Sequence, residues 1–293
     1  MDWNSRRITA ILENALQEDR ATSDATSYAC VEPNQRAAGT ILAKQDCILA
    51  GLGCVPRILD VYASHDGAVT SHYEVTSHPE IFDGIRLHKG QSIAVVRHNA
   101  RVILSCERVI LNLLQRMSGI ATLTRKFVDA VSGTKARILD TRKTVPGLRT
   151  AQKYAVRCGG AQNHRMGLFD QVLIKENHIA AAGSLTGAIE AARRDAAGVA
   201  IEVEVETLSE LREALNARPD IIMLDEFSLE DMRSAVALNR AHGGPAKLEV
   251  SGSVSLEAVR AIADTGVDYI SVGALTKHVR AIDLSMRLQF GGG

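Results

Sequence analysis

Arg142 and Lys143 close the segment ILDTRK at residues 138–143, with Arg137 just upstream and Arg149 just downstream. An arginine fork pairs bidentately with a planar carboxylate, and a lysine meets a phosphate as a movable point charge. By itself such a pair is as readily solvated surface. The residues that end the other apolar runs change the balance. They are Lys175-Glu176-Asn177-His178, then Glu204 and Glu206, then Asp225-Glu226, then Ser251-Gly252-Ser253, and finally Gly273-Ala274. Surface charge explains any one of these endings and explains six in succession poorly. In IEVEVE, alternation sends Ile201, Val203 and Val205 to one side and Glu202, Glu204 and Glu206 to the other. A strand lying between two helices in sequence is covered on both faces, so the glutamates point into a barrel interior or cleft. Buried carboxylates need cationic partners or a metal, and Lys175 and Lys143 are the candidates. The two small-residue loops are of the kind that cradle phosphate. Alone each is a weak signal. Opposite an Arg-Lys cluster they point to a ligand with a phosphate at one end and further anions at the other.

The elements that must position these residues begin near residue 136. The apolar runs are ARILD (136–140), QVLIK (171–175), VAIEVEVE (199–206), DIIMLD (220–225), AKLEV (246–250) and VDYISV (267–272), with helix-period stretches between them. TLSE at Thr207–Glu210 spells a capping box and SLED at Ser228–Asp231 a looser one. Strands alternating with helices imply parallel βα units, with ligands at the carboxyl ends of the strands. Six strands are two short of a standard eight-stranded barrel, which leaves an open sheet and a reduced barrel as alternatives. Residues 1 to about 105 read instead as an α+β module with a mostly antiparallel sheet. It has an amphipathic N-terminal helix (Ile8, Ile11, Leu12, Ala15, Leu16) and a second helix near 55–64. A long helix over Glu107–Val131 joins the two parts, with Gly119 interrupting its middle.

The bulk numbers exclude several functions. With 34 basic and 34 acidic side chains and 4% aromatics, the chain has neither the positive field nor the stacking platform of a nucleic-acid binder. No apolar run approaches the roughly 18 residues of a membrane span, and the start lacks a signal-peptide pattern. Five scattered cysteines with no CxxC pair predict reduced thiols in a cytoplasmic protein, and no metal is assigned to them. His65, His72, His78 and His88 are expected at the surface.

The block LDTRKTVPGLRTAQKYAVRCGGAQNHRMGLFDQVLIKENHI (139–179), together with VEVEVET, DIIMLD, EVSG, DYISVGALTKH and the upstream ERVILNLLQRMSGIAT, resembles the quinolinate phosphoribosyltransferase family. The match runs in register from about 97 to 290; the N-terminal third agrees less closely. EDRATSDATS is shorter than the family's loop there and receives no catalytic role, and Glu226 stands where the family often has Asn. The resemblance implies an α/β fold: an N-terminal α+β sandwich domain (1–113, completed by the tail 279–293) and a reduced α/β barrel of fewer than eight strands (114–278). It implies that quinolinate and phosphoribosyl pyrophosphate give nicotinate mononucleotide, pyrophosphate and carbon dioxide in NAD biosynthesis, with magnesium (Mg2+). Carried over by position, Arg142, His164, Arg165 and Lys175 would meet the two carboxylates of quinolinate, with Arg108 supplied by a second subunit. Lys143, Glu204 and Asp225 would serve pyrophosphate, magnesium and the ribose hydroxyls, with Glu204 and Asp225 as the metal carboxylates. Lys143, Lys175, Glu204 and Asp225 would form the catalytic set, and Ser251, Gly252 and Gly273 would hold the 5′-phosphate. A homodimer or larger assembly with shared active sites follows.

Three rival readings remain. A related phosphoribosyltransferase acting on a different base would share the phosphate end and vary the cations. A sugar-phosphate aldolase or isomerase barrel would use Lys175 as a Schiff base. A catalytically dead scaffold would not retain every charged position.

Overall fold

The computed structural model describes residues 1–66, 72–196 and 198–290. It divides into two compact units. The first comprises 1–123, 145–160 and 279–293, and the second comprises 124–144 and 161–278.

In the first unit, helix α1 (Arg6–Glu18) follows the predicted spacing, with Ile8, Leu12 and Leu16 buried and Ile11 and Ala15 half-buried against the same core. After α2 (Ala25–Cys30) come β1 (Arg36–Ala43), β2 (Cys47–Ile48), α3 (Cys54–His65), β3 (Glu74–Thr76), β4 (Arg86–Leu87) and β5 (Ser92–Asn99). The C-terminal strand β12 (Leu284–Phe290) completes an antiparallel sheet of order β12-β1-β5-β3, and β2 pairs with β4. The tail therefore finishes the N-terminal sheet, with Ala43 opposite Leu284 and Ala37 opposite Phe290. Alternate residues of β1 (Ala37, Ile41, Ala43) face the core shared with Leu12 of α1 and Ile58 and Leu59 of α3.

The long helix α4 runs from Ala100 to Ala130 and begins seven residues earlier than the sequence suggests. Asn99 sets the start, its side-chain oxygen accepting from the Arg101 amide at 2.9 Å. Gly119 does not interrupt α4. A Cβ there would lie 2.3 Å from the Arg280 carbonyl oxygen, so this glycine serves close approach by the returning chain. Helix α5 (Arg149–Cys158) is grouped with the first unit and is tied to it through Tyr154, which donates to Asp83 at 2.5 Å. Asp83 also accepts from the Gly51 and Leu52 amides, and Trp3 packs edge-on to the Tyr154 ring.

The second unit contains all six predicted strands: β6 (Arg137–Leu139), β7 (Val172–Ile174), β8 (Ile201–Val205), β9 (Ile221–Asp225), β10 (Lys247–Ser251) and β11 (Tyr269–Ser271). They form one parallel sheet of order β6-β11-β10-β9-β8-β7. The first and second strands in sequence stand at opposite ends of that order, giving an open, six-stranded α/β barrel. Helices α6 (Glu176–Ala182), α7 (Leu185–Asp195), α8 (Leu208–Ala217), α9 (Leu229–Ala241), α10 (Val259–Ala263) and α11 (Ala274–Lys277) follow their strands. Thr207 and Glu210 make the predicted capping box on α8, and Ser228 caps α9 by accepting from the Asp231 amide. In register, Ser251 stands opposite Asp225, Val205 opposite Leu224 and Ile174 opposite Val203. The residues that end the strands are thus neighbours. No helix among the described residues is long and apolar enough to cross a membrane.

Candidate active site

The side chains of β8 alternate as predicted, and both of its glutamates are buried: Glu202 completely, Glu204 to within 8%. Each has a partner. His164 brings Nε2 to 2.8 Å from Glu202 Oε2, and Gln171 donates to the same oxygen at 2.7 Å. Asp140, buried at the end of β6, accepts the His164 amide at 2.9 Å and the Asn163 side chain at 2.6 Å. The histidine is thereby gripped at both backbone and ring. Glu249 of β10 lies 3.7 Å from the same His164 nitrogen and accepts a hydrogen bond from Ser271. Burial, aided by the charge of Glu202 and opposed by His164, pushes the Glu249 carboxyl up to about 8. It is therefore protonated at neutral pH. Its hydroxyl can face Glu202 and satisfy Glu202 Oε1 and Glu249 Oε2, buried oxygens with no other partner among the described residues. His164, Glu202 and Glu249 offer three donor atoms within 4.8 Å of one another, a set a cation could take. The direct His164–Glu202 hydrogen bond and the proton on Glu249 instead satisfy it from within.

The cations above this network are less satisfied. Arg165 donates from Nη1 to the Gln171 carbonyl at 3.2 Å. Its Nε and that of Arg142 are buried without a hydrogen-bond partner among the described residues. Desolvation and then the neighbouring Arg142 guanidinium hold Arg165 below the usual arginine range, with Glu202 and Asp170 opposing. Two guanidinium groups that crowd each other and leave N–H groups unmet form a site for a ligand with more than one negative charge.

Glu204 takes Lys175 as its ion-pair partner, with the lysine nearly half exposed. Lys143, the other candidate, is exposed and lies along the Gly273 loop, where a Cβ on Gly273 would meet its Cδ at 3.2 Å and its Nζ at 3.9 Å. Asp225 is half-buried, in register with Ser251 at the head of the loop carrying Gly252. Glu204 and Asp225 provide hard carboxylate oxygens at the ends of adjacent strands, a donor set that fits magnesium.

The structure thus gathers Arg142, Lys143, His164, Arg165, Lys175, Glu204, Asp225, Ser251, Gly252 and Gly273 on the second unit. Arg108 is exposed on α4 in the first unit. Glu206 lies beyond the end of β8 and is exposed, and so are His65, His72, His78 and His88. Sequence reasoning missed Gln171, Glu249 and Ser271. The usable signal was Glu249 itself, a carboxylate set in the apolar run AKLEV as Glu202 is set in AIEVEVE.

The fold and this polyanion site describe a small-molecule transferase barrel, and comparison with known proteins agrees. The family models for the quinolinate phosphoribosyl transferase C-terminal and N-terminal domains match residues 120–287 and 24–118. The chain belongs to this family. It is 44% identical over 278 residues to the nicotinate-nucleotide pyrophosphorylase [carboxylating] of Mycobacterium leprae, covering 94% of this chain and 95% of that one. It is 43% identical over 285 residues to the probable nicotinate-nucleotide pyrophosphorylase [carboxylating] of Bacillus subtilis, covering 97% and 94%. Among solved structures, NadC from Streptococcus pyogenes superimposes with a TM-score of 0.91 at 36% identity over the whole of both chains.

Proposed function

We propose that this chain is a decarboxylating quinolinate phosphoribosyltransferase of NAD biosynthesis. It joins quinolinate to phosphoribosyl pyrophosphate and releases nicotinate mononucleotide, pyrophosphate and carbon dioxide. The observation that carries the reading is the pair of crowded arginines, Arg142 and Arg165, whose buried Nε–H groups lack acceptors beside His164. A ring bearing two adjacent carboxylates supplies acceptors for both. A base with fewer carboxylates would leave one of these guanidinium groups unmet. Lys175 is an ion-paired ammonium, which supports a carboxylate-binding role over that of a Schiff-base nucleophile.

The chemistry follows from positioning. With its carboxylates held by Arg142, His164, Arg165 and Lys175, quinolinate presents its ring nitrogen to the anomeric carbon of the second substrate. The nitrogen lone pair forms the new C–N bond as the C–O bond to pyrophosphate breaks, and the departing oxygen keeps that electron pair. Lys143, which lies along the Gly273 loop, would follow the leaving charge. Magnesium, held by Glu204 and Asp225, would neutralise the pyrophosphate. The ring nitrogen is then cationic. When the adjacent C–C bond breaks and carbon dioxide leaves, the electron pair stays on the ring carbon beside that nitrogen, and the carbon takes up a proton. Arg108 would come from a second copy of the chain in a homodimer or larger assembly, and the assignment of the enzyme to the cytoplasm belongs to the same reading.

Incubating the chain with quinolinate, phosphoribosyl pyrophosphate and magnesium tests it. Nicotinate mononucleotide and carbon dioxide should appear in equal amounts. Product from nicotinate or another base, with none from quinolinate, would transfer the chain to a sister activity.

A further inference from the structure

Two side chains lie across the small-residue loops at the phosphate end of the site. Lys143 lies along Gly273, as described above. On the other loop it is a carboxylate. A Cβ built on Gly252 would fall 2.8 Å from Glu226 Cδ and 3.0 Å from each of its carboxylate oxygens. Glu226 therefore rests directly on the bare Cα of Gly252, whose φ of +127° few side chains could adopt. Ser253 holds it there, its hydroxyl donating to Oε1 at 3.3 Å, and the Glu226 amide donates to the Ser251 carbonyl at 3.2 Å. Glu226 itself has a φ of +51°, a left-handed conformation uncommon for a residue of its kind. The backbone is thus turned so that the side chain lies over the loop.

We propose that Glu226 is an affinity-setting residue: its carboxylate occupies the space over Ser251–Gly252–Ser253 that a ligand phosphate must enter, and the phosphate binds by displacing it. This rests on the reading above, in which this loop receives the 5′-phosphate. A carboxylate and a phosphate cannot share the same few ångströms of loop without either a cation between them or the withdrawal of one. Of the two, the Glu226 carboxylate is the movable partner. Glu226 is exposed, its hydrogen bond from Ser253 is long, and a rotation about its own side-chain bonds takes it into water. The same rotation frees the Ser253 hydroxyl to donate to the phosphate instead. The loop is thus covered without ligand and opened by ligand, and the exchange lowers phosphate affinity relative to a loop that carries no acid.

Titration with ribose 5-phosphate in chloride buffer, first without and then with magnesium, tests the exchange. The variants are Glu226→Gln, which keeps the size and removes the charge, and Glu226→Asn, which is shorter and suited to a left-handed φ. The Asn variant guards against loss of fold, because its backbone preference agrees with the native conformation. Removing one like charge from contact should tighten ribose 5-phosphate by about ten-fold. The KM for phosphoribosyl pyrophosphate should fall in parallel, with the quinolinate KM unmoved. An unchanged or weaker dissociation constant in both variants overturns the proposal. So does a loss of affinity that appears only with magnesium, which would make Glu226 a metal carboxylate. Wild-type turnover is measured alongside. Turnover without tightening overturns the role of Glu226 alone. Absent turnover overturns the functional reading, while the ribose 5-phosphate titration still decides the exchange.

Discussion

Arg142 and Arg165 owe their significance to what they lack. Each has a buried Nε–H with no acceptor among the described residues, and desolvation together with the Arg142 guanidinium holds Arg165 below the usual arginine range. Losing a hydrogen bond to a charged group costs roughly 1.5–3 kcal/mol, or about one to two decades of affinity. Arg→Ala at either position should weaken quinolinate binding by that margin and change phosphoribosyl pyrophosphate binding less. Equal losses for both substrates in calorimetric titrations would remove the assignment. Glu204 makes a second case. Glu204→Gln should raise the magnesium concentration needed for half-maximal activity and leave quinolinate affinity nearly intact; an unshifted magnesium curve would count against its metal role. Glu249 makes a prediction about pH. Its carboxyl is raised from 4.5 to about 8 in the fold, so between these values the folded chain binds a proton that the unfolded chain has released. Stability should therefore fall as pH rises from 4.5 to 8. Glu249→Gln keeps an acceptor for Ser271 and a donor toward Glu202, and removes the titration. Its melting temperature should decline less between pH 5 and pH 8 than that of the wild type. Parallel declines would show that Glu249 does not titrate in that window.

At the scale of elements, the strand ends were legible because a parallel strand buried on both faces is an apolar run, and the residue that ends it is conspicuous. Helix α4 was less so. A glycine inside a helical pattern suggests a break, since it costs about 1 kcal/mol relative to alanine. Here the reason for Gly119 lies about 160 residues away, at the Arg280 carbonyl. Gly119→Ala would place a methyl 2.3 Å from backbone oxygen. The expected effect is a loss of about 1–3 kcal/mol, as for other overpacked sites. A denaturant titration measures it. A variant at least as stable as the wild type would mean that the returning chain can shift aside.

At the scale of the whole molecule, the proposed assembly gives a role to Arg108, which sits exposed on α4 of the first unit. If the proposed homodimer shares its sites, Arg108→Ala and Arg142→Ala chains should complement each other. A mixed dimer then has one doubly defective site and one intact site. Random pairing should recover about a quarter of wild-type activity, as two-fold symmetry requires. No recovery under conditions where subunits demonstrably exchange would place Arg108 in its own chain's site or in none.

Local sequence determined the elements: six apolar runs became six parallel strands, two capping sequences became two caps, and alternation in IEVEV put Glu202 and Glu204 on one side. Each of these rests on interactions a few residues apart, which a linear reading contains. Tertiary structure decided which charges meet. The choice of Lys175 over Lys143 for Glu204, the Glu249–Glu202–His164 contacts and the resting of Glu226 on Gly252 all join residues on different strands or loops. Strand pairing sets those distances: β7 to β11 lie side by side in chain order with β6 beside β11, so residues far apart in sequence meet at neighbouring strand ends.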